Sequence, residues 1–279
     1  MFMDRNKTIA FLGAGSMAEA MISGILKEGK ISADRLYVTN KENEQRLQQI
    51  KNKYGVKVAA KEMLPYEDID LFILAMKPKG AAEALAAIKD RLHPDQVIVS
   101  VLAGVTTSFM EEHLNKGQQV VRVMPNTSSM IQESATAVTP GMNTAKETTQ
   151  DVKELLACMG KVFIIEEKQM DIFTGIAGSG PAYFYYLMEQ MELIGMQNGM
   201  NEEMVREIVA QTVYGAAKMV MEKGDSPTVL CKNVTSPNGT TESGLRALKM
   251  FNGGEALSQA VNHAARRSKE LCKELERVY

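Results

Sequence analysis

The sequence predicts an α/β fold, with an N-terminal doubly wound domain over residues 1–166 and an all-α C-terminal domain over residues 167–279. Two observations predict this division. Up to about Glu166, short apolar runs alternate with segments of helical periodicity, which indicates a mainly parallel sheet covered by helices on both faces. Beyond Glu166 the strand-like runs stop and only long helical patterns remain.

Each predicted element rests on its local pattern. The strands are continuous apolar or β-branched runs, and the helices are longer segments with apolar residues three and four positions apart. The predicted strands are Thr8–Leu12, Arg35–Thr39, Val56–Ala59, Leu71–Leu74, Val97–Ser100, Gln119–Met124, Ala135–Thr139 and Lys161–Ile165. The predicted helices are Met17–Lys27, Glu42–Lys53, Ala81–Arg91, Thr107–Leu114, Ala145–Met159, Pro181–Asn198, Glu202–Lys223, Ser243–Met250 and Glu255–Glu276.

The first strand runs directly into a glycine-rich turn, Gly13-Ala14-Gly15-Ser16-Met17-Ala18. Gly13 permits a tight turn, Gly15 lets a pyrophosphate approach the backbone, and Ala18 lets the helix pack close to the strand. The N–H groups at the start of that helix would face the phosphates. We therefore expect Gly13, Ala14, Gly15, Ser16 and Met17 to bind a nicotinamide or flavin dinucleotide, although an ordinary strand-to-helix turn with two glycines would show the same pattern.

The end of the second strand indicates which dinucleotide is bound. An acidic residue at this position hydrogen-bonds the ribose of NAD, whereas a polar or cationic pocket accepts the 2′-phosphate of NADP. Here the strand ends in Asn40-Lys41, which favours NADP(H) and leaves NAD(H) possible. Glu42 is the counter-argument, since an acid one position further on can still reach a ribose. Lys41 can equally be a solvated lysine at a helix start.

Two further loops follow predicted strands, at the edge where a doubly wound sheet presents its ligand. Their small or backbone-dominated character suits contacts with ribose and nicotinamide. The candidate cofactor-lining residues are Ala75, Met76, Lys77 and Pro78 in the first loop, and Val101, Leu102 and Ala103 in the second.

Composition excludes several classes of function. The chain has 279 residues, 45% hydrophobic and 24% charged, with a formal net charge of −2. Without a basic excess, nucleic acid is not an expected partner. No apolar stretch is long enough to span a bilayer, and the first strand leaves no room for a signal peptide, so we expect no membrane partner and a cytoplasmic location. Three scattered cysteines form neither a disulfide framework nor a metal pattern, and we expect no metal.

The helix predicted at Glu202–Lys223 has two apolar stripes, one through Met204 and Ile208 and another through Val205 and Val209. A surface helix needs only one apolar face. Two faces indicate burial on both sides, most simply in a subunit interface. The alternative is a central helix of a monomeric bundle.

Two segments of the C-terminal domain have the composition of a binding site. Gly178-Ser179-Gly180-Pro181 predicts a flexible turn before a helix. The run from Asn233 to Leu245 places hydroxyls and backbone donors ahead of a helix that Thr240 or Thr241 could cap. Helix N-termini bind carboxylates well, so this run can hold an acidic substrate, although a simple capped loop would have the same composition.

Taken together, these motifs resemble the Δ1-pyrroline-5-carboxylate reductase family over essentially the whole chain. The late Ser-Pro-x-Gly-Thr-Thr segment is the specific part, since the glycine turn is shared with many dehydrogenases. The matching motifs are the glycine turn, Lys77-Pro78, Ala103-Gly104-Val105, Arg122–Thr127, Gly178–Tyr183, Gln211-Thr212 with Gly215-Ala216-Ala217, and Ser236–Leu245.

The resemblance implies a Rossmann-like N-terminal domain and a helical C-terminal dimerisation domain that interleaves with a second subunit. Such dimers often assemble further into a ring of five, a decamer. It implies an NADPH-dependent reduction of 1-pyrroline-5-carboxylate to L-proline, at active sites shared between subunits. The substrate-binding residues it implies are Asn233, Ser236, Gly239, Thr240 and Thr241, with the Thr241 hydroxyl in the catalytic role beside the ring nitrogen.

Three residues depart from the family pattern. Asn238 stands where a glycine is usual, and we expect the turn to form because Asn tolerates positive φ. Ala177 replaces a common serine. Glu62 occupies a position near the adenosine that is often Asn, and an acid there would weaken NADP binding.

Two rival functions remain open. A related NADP-dependent imine or β-hydroxyacid dehydrogenase would typically carry a catalytic lysine after Pro181, but the segment Tyr183–Glu189 contains none. A non-catalytic NADP-binding paralogue has no need of Ser236 and Thr241, which are both present.

Overall fold

An eight-stranded sheet organises the N-terminal part of the computed structural model, which describes residues 6–41 and 43–278. The strand order is β3-β2-β1-β4-β5-β6-β7-β8, with β1 to β6 parallel and β7 and β8 running in the opposite direction. The mainly parallel sheet is therefore confirmed. The strands are β1 Ile9–Leu12, β2 Leu36–Thr39, β3 Lys57–Val58, β4 Leu71–Leu74, β5 Val97–Ser100, β6 Gln119–Met124, β7 Ser134–Pro140 and β8 Gly160–Ile164.

Helices cover both faces of this sheet. Phe11 belongs to a core formed with one set of helices, whereas its neighbours Ala10 and Leu12 belong to a second core on the opposite face. Successive strand residues point to opposite faces, so a strand buried on both must be apolar throughout. The doubly wound architecture is confirmed. The helices of this part are α1 Ser16–Lys27, α2 Glu44–Tyr54, α3 Ala81–Lys89, α4 Thr107–His113, α5 Lys146–Leu156 and α6 Met170–Phe173.

After Ile164 the described chain forms helices and no further strands, as the sequence predicts. The segment Thr174–Gly178 is a π-helical turn that continues α6. The flexible turn predicted around Gly178–Gly180 is therefore wrong, because the backbone stays helical there. The remaining helices are α7 Gly180–Gln197, α8 Glu202–Lys223, α9 Pro227–Asn233, α10 Thr240–Met250 and α11 Gly253–Val278.

Contacts group the chain into two compact units. One extends to Ser179 and includes the chain from His263 onward, and the other is Gly180–Asn262. We expect the domain boundary at residue 166, where the strands end. Residues 167–179 and the C-terminal half of α11 group with the unit that contains the sheet. Met170 is fully buried, and the Ser268 hydroxyl donates to the Asp171 carboxylate at 2.8 Å.

Within the second unit, α7 and α8 pack together near their connection. A Cβ on Gly195 would lie 2.3 Å from a methyl group of Val205, so glycine allows this close approach. Val205 and Val209, from one stripe of α8, are each 3% exposed. Met204 and Ile208, from the other stripe, are 48% and 47% exposed. A central helix of a monomeric bundle would bury both stripes in one chain, so the exposed stripe favours the interface interpretation.

Candidate active site

The loops after β1, β4 and β5 lie side by side at the carboxyl edge of the sheet. The Ala75 N–H donates to the Leu12 carbonyl at 2.9 Å, and the Val101 N–H donates to the Leu74 carbonyl at 3.1 Å. On the other side, the Gly13 N–H donates to the Thr39 carbonyl at 3.1 Å. The structure therefore brings together all four predicted cofactor segments, which are Gly13–Met17, Asn40-Lys41, Ala75–Pro78 and Val101–Ala103.

The two positions of the first loop that are glycine differ in whether the fold itself requires a glycine. Gly13 has a φ of +124°, and a Cβ there would lie 2.4 Å from the Ala75 carbonyl oxygen, so glycine is required by the fold. Gly15 has an ordinary φ of −73°, and the same oxygen would lie 3.7 Å from its Cβ, which is a normal contact. Since the fold would accept a side chain at Gly15, its absence fits a ligand that approaches the backbone.

Gly15 is also the N-cap of α1, which has no side-chain cap. Ser16 and Met17 open the helix, and their N–H groups have no partner within it because no preceding turn exists. Ala14 and Ala18 are buried beneath this end. Together with the bare backbone of Gly15, an uncapped helix start forms a cradle that fits a pyrophosphate.

A cluster of charged side chains contacts the same loop through Arg46. The Arg46 guanidinium donates to the Ala14 carbonyl at 3.0 Å and is also paired with Glu19. Lys53 and Tyr54 donate to the other Glu19 oxygen at 2.8 and 3.0 Å. Lys53 and Arg46 lower the pKa of Glu19 to about 2. This cluster fixes α1 and α2 against the loop, and no sequence pattern predicts it.

Asn40 and Lys41 follow the end of β2, as expected. The Lys41 ammonium is paired with Glu83 of α3 at 2.7 Å, and both side chains are well exposed. The Asn43 side chain accepts a hydrogen bond from the Arg46 N–H and caps α2. Glu42, the acid that favours NAD, lies outside the described residues. Because Asn43 is the cap, α2 begins at Glu44, and the predicted start at Glu42 falls on that undescribed residue.

The other two cofactor-lining loops contribute mainly backbone. Lys77 precedes a short 3₁₀ turn, Pro78–Gly80, that leads into α3, while Ala75 and Met76 are half-buried. In the loop after β5 the Leu102 side chain is buried, so only its backbone can face a ligand, and Ala103 is exposed. Glu62 lies in a separate turn, where its carbonyl accepts from Arg91.

The predicted substrate residues lie on one loop and the two helices that flank it. Asn233 is the last residue of α9, and Ser236 lies within the connection. Thr240 and Thr241 are the first two residues of α10, which starts three residues earlier than the sequence predicts. The expectation that Thr240 or Thr241 caps this helix is wrong, because Gly239 is the N-cap and offers no side chain.

Local packing explains the glycine cap. The Gly239 N–H donates to the Ser236 carbonyl at 3.0 Å, and a Cβ on Gly239 would lie 2.4 Å from the Ser236 hydroxyl. Asn238 has a φ of +58°, so the departure from glycine preserves the turn, as we expect. The Glu242 carboxylate accepts from the Asn238 N–H at 2.8 Å. The start of α10 therefore presents its N–H groups and two threonine hydroxyls without a side-chain cap.

Two residues of the Arg122–Thr127 motif make contacts within the fold. Arg122 is 3% exposed and is paired with Glu167, and the Asn126 side chain donates to the Ala177 carbonyl at 3.0 Å. Asn126 contacts the backbone carbonyl of Ala177, so the serine that is common at this position would accept the same hydrogen bond.

The cysteines, the candidate metal ligands and the long helices of the described residues bear on thiol, metal and membrane functions in turn. The cysteines are all free, and burial raises the pKa of Cys158 to about 12, which keeps this thiol protonated. No group of His, Cys, Asp and Glu among residues 6–41 and 43–278 has the arrangement of a metal site. The helices of these same residues include none that is both long and apolar enough for a membrane span.

Comparisons with known proteins cover nearly the whole chain. Residues 167–271 match the family described as pyrroline-5-carboxylate reductase dimerisation, and residues 8–104 match the family described as NADP oxidoreductase, coenzyme F420-dependent. Pyrroline-5-carboxylate reductase 1 of Bacillus subtilis is 55% identical over 98% of this chain and 92% of its own length.

Solved structures agree with these matches. The structure of a pyrroline-5-carboxylate reductase from Coxiella burnetii has a TM-score of 0.87 and 31% identity, over 95% of this chain and 98% of that one. Plasmodium falciparum pyrroline carboxylate reductase, solved with NADP bound, has a TM-score of 0.84 and 27% identity, over 96% of this chain and 99% of that one.

Proposed function

The chain belongs to the pyrroline-5-carboxylate reductase family, and we propose how its residues carry out the NADPH-dependent reduction of 1-pyrroline-5-carboxylate to L-proline. This reaction is the last step of proline synthesis. The membership also makes the chain an oxidoreductase that acts on a C=N bond, which leaves the β-hydroxyacid and non-catalytic alternatives without support.

On the cofactor side, the uncapped start of α1 and the bare backbone of Gly15 hold the pyrophosphate. Gly13 and Ala14 keep the turn in place, while Ser16 and Met17 contribute the first N–H groups of the helix. The Asn40 amide and the Lys41 ammonium receive the adenosine ribose and its 2′-phosphate.

The remaining cofactor residues line the nicotinamide half of the same edge. Ala75, Met76, Lys77 and Pro78 follow β4, and Val101, Leu102 and Ala103 follow β5, so their backbone groups reach the second ribose and the nicotinamide. When bound, NADPH supplies the hydride that the imine carbon receives.

On the substrate side, the N–H groups at the start of α10 receive the substrate carboxylate. This helix end has no side-chain cap and carries the positive end of the helix dipole. Gly239 lets the chain turn against the Ser236 hydroxyl just ahead of these N–H groups. Asn233, at the end of α9, and Ser236, in the connection, border the ring. These contacts fix which face of the ring is presented for reduction.

Thr241 has the catalytic role. Its hydroxyl donates a hydrogen bond to the ring nitrogen, which orients the C=N bond and assists protonation as the nitrogen gains electron density. Thr241 is the second residue of α10, so the same helix turn anchors the carboxylate and directs this hydroxyl. The observation that carries the proposal is therefore the uncapped α10 start with threonine hydroxyls in its first turn.

A single assay tests this function. Purified protein is mixed with 1-pyrroline-5-carboxylate and NADPH, and the loss of reduced cofactor is followed together with the formation of proline. We expect oxidation of NADPH that depends on the imine, with a higher kcat/KM for NADPH than for NADH. Absence of proline would reject the function, and an equal or reversed cofactor preference would reject the NADPH assignment.

The chain contains a dimerisation domain and associates with itself through it. We propose an interleaved dimer, for which the exposed stripe of α8 provides apolar surface, and a further assembly of dimers into a decamer as the resemblance implies. The expected cytoplasmic location and the absence of membrane and nucleic-acid partners also remain part of this proposal.

A further inference from the structure

An ion pair crosses the cofactor edge beside the glycine loop. The Lys41 ammonium, just after β2, lies 2.7 Å from the Glu83 carboxylate in the first turn of α3. Strands β2 and β4 flank β1 in the sheet. The pair therefore joins the segments on either side of the loop that follows β1.

Lys41 is the cation that we propose for the 2′-phosphate of NADP. In a doubly wound domain that phosphate lies beyond the second strand, beside the residues that follow it. The Lys41 side chain is 73% exposed and that of Glu83 is 66% exposed, so both groups can rearrange at little cost. The hydrogen bond from Lys41, together with its charge and a weaker attraction from Lys61, lowers the pKa of Glu83, so the carboxylate is ionised at neutral pH.

We propose that Glu83 limits the preference for NADPH over NADH by competing with the 2′-phosphate for Lys41. In the cofactor-free protein the Glu83 carboxylate neutralises Lys41. The 2′-phosphate of NADPH must therefore displace that carboxylate from the Lys41 ammonium. NADH carries a 2′-hydroxyl in place of the phosphate and leaves the ion pair intact. Glu83 thus narrows the difference in affinity between NADPH and NADH without contacting the reacting atoms.

This inference rests on the proposed NADPH function, and direct binding measurements separate the two. The dissociation constants of NADPH and NADH are measured by calorimetry for the wild type and for Glu83→Gln. We expect Glu83→Gln to lower the Kd of NADPH by about two- to fivefold, the range of an exposed ion pair, and to leave the Kd of NADH unchanged. The difference in the Kd of NADPH between Glu83→Gln and the wild type is expected to shrink at high salt, because screening weakens exposed ion pairs.

Two further variants test whether Glu83 acts through Lys41. Asp90→Asn removes the same charge from the opposite end of α3, about 10 Å along the helix, and should leave both constants unchanged. In a Lys41→Met background, Glu83→Gln should no longer improve NADPH binding, since non-additivity reveals the coupling between the two residues.

The inference is overturned if Glu83→Gln leaves the Kd of NADPH unchanged or raises it. An equal gain in the Lys41→Met background would also overturn it, because Glu83 would then act on the phosphate directly. A wild type that binds neither nucleotide would overturn both the inference and the NADPH assignment. A wild type that binds NADPH but makes no proline would reject the function alone.

Discussion

The Glu242 carboxylate accepts a hydrogen bond of 2.8 Å from the backbone N–H of Asn238, which has a φ of +58°. The bond ties the first turn of α10 to the residue that makes the preceding chain reverse. Both residues border Gly239, Thr240 and Thr241. The shape of the proposed substrate loop therefore depends on the positive φ of Asn238 and on its hydrogen bond to Glu242.

The first prediction concerns Asn238. Asn238→Gly should keep the stability and the KM for the imine near wild type, because glycine adopts positive φ freely. Asn238→Val should lower the free energy of unfolding by about 1–2 kcal/mol and raise that KM, because a β-branched residue is strained in this conformation. Denaturant unfolding and steady-state kinetics measure the two effects. Equal behaviour of the two variants would show that the turn does not depend on φ.

The second prediction contrasts the two glycines of the cofactor loop. Gly15→Ala should fold normally but raise the Kd of NADPH more than about tenfold, because its Cβ meets only ordinary contacts within the protein and stands where the pyrophosphate approaches. Gly13→Ala should lower the free energy of unfolding by about 2 kcal/mol or more, because its Cβ would clash with Ala75 at positive φ.

Calorimetric titration and denaturant unfolding distinguish the two glycine variants. If Gly15→Ala bound NADPH like the wild type, the pyrophosphate would not approach that position. If Gly13→Ala were as stable as the wild type, the close contact with Ala75 would not constrain the fold.

The third prediction follows from the depressed pKa of Glu19. Its pKa falls from 4.5 to about 2 in the folded protein because Lys53 and Arg46 stabilise the carboxylate. A lowered folded-state pKa stabilises the protein above the unfolded pKa, and this stabilisation is lost as the pH falls through the folded value. Glu19→Gln should therefore be less stable than the wild type at pH 7, and the difference should shrink between about pH 4.5 and pH 2.

Unfolding in denaturant at several pH values measures this difference. Glu274→Gln is a matched control, because Glu274 also pairs with arginine but both side chains are exposed. The free energy of unfolding of that variant should differ little from that of the wild type at any pH. A Glu19→Gln variant whose deficit stayed constant down to pH 2 would contradict the assigned ion pairs.

The fourth prediction concerns the exposed stripe of α8. Ile208 is 47% exposed in the single chain and belongs to the stripe that we propose for the interface between subunits. Ile208→Glu should raise the dimer dissociation constant by about a hundredfold or more, because it buries an unpaired charge. Sedimentation equilibrium measures this, with Glu147→Lys on α5 of the first unit as the control that should remain dimeric. A fully dimeric Ile208→Glu would remove this stripe from the interface.

The sequence predicts the sheet and the cofactor loop because both leave local patterns. Strands buried on both faces must be apolar throughout, and the turn at Gly13 requires a residue without a side chain. The pairing of Arg46 with Glu19 could not be predicted, since the two residues are 27 positions apart and charged residues at a helix surface show no periodicity that identifies a partner.

Two local predictions fail for identifiable reasons. Thr240 and Thr241 have the composition of caps, but Gly239 is the N-cap of α10, where the Ser236 hydroxyl occupies the space of a side chain. Gly178 and Gly180 have the composition of a turn, yet the helix continues through a π-helical segment. Composition alone records neither the packing beside Gly239 nor the continuation of the helix through Gly178.

The most direct test of the account is kcat for proline formation by Thr241→Ala at saturating NADPH and imine. We predict a fall of about ten- to a thousandfold, because the variant loses the hydrogen bond to the ring nitrogen. The Kd of NADPH should stay unchanged, and Thr241→Ser should recover most of the rate. A Thr241→Ala variant with the wild-type kcat would contradict the assignment of the α10 start as the place where the imine is reduced.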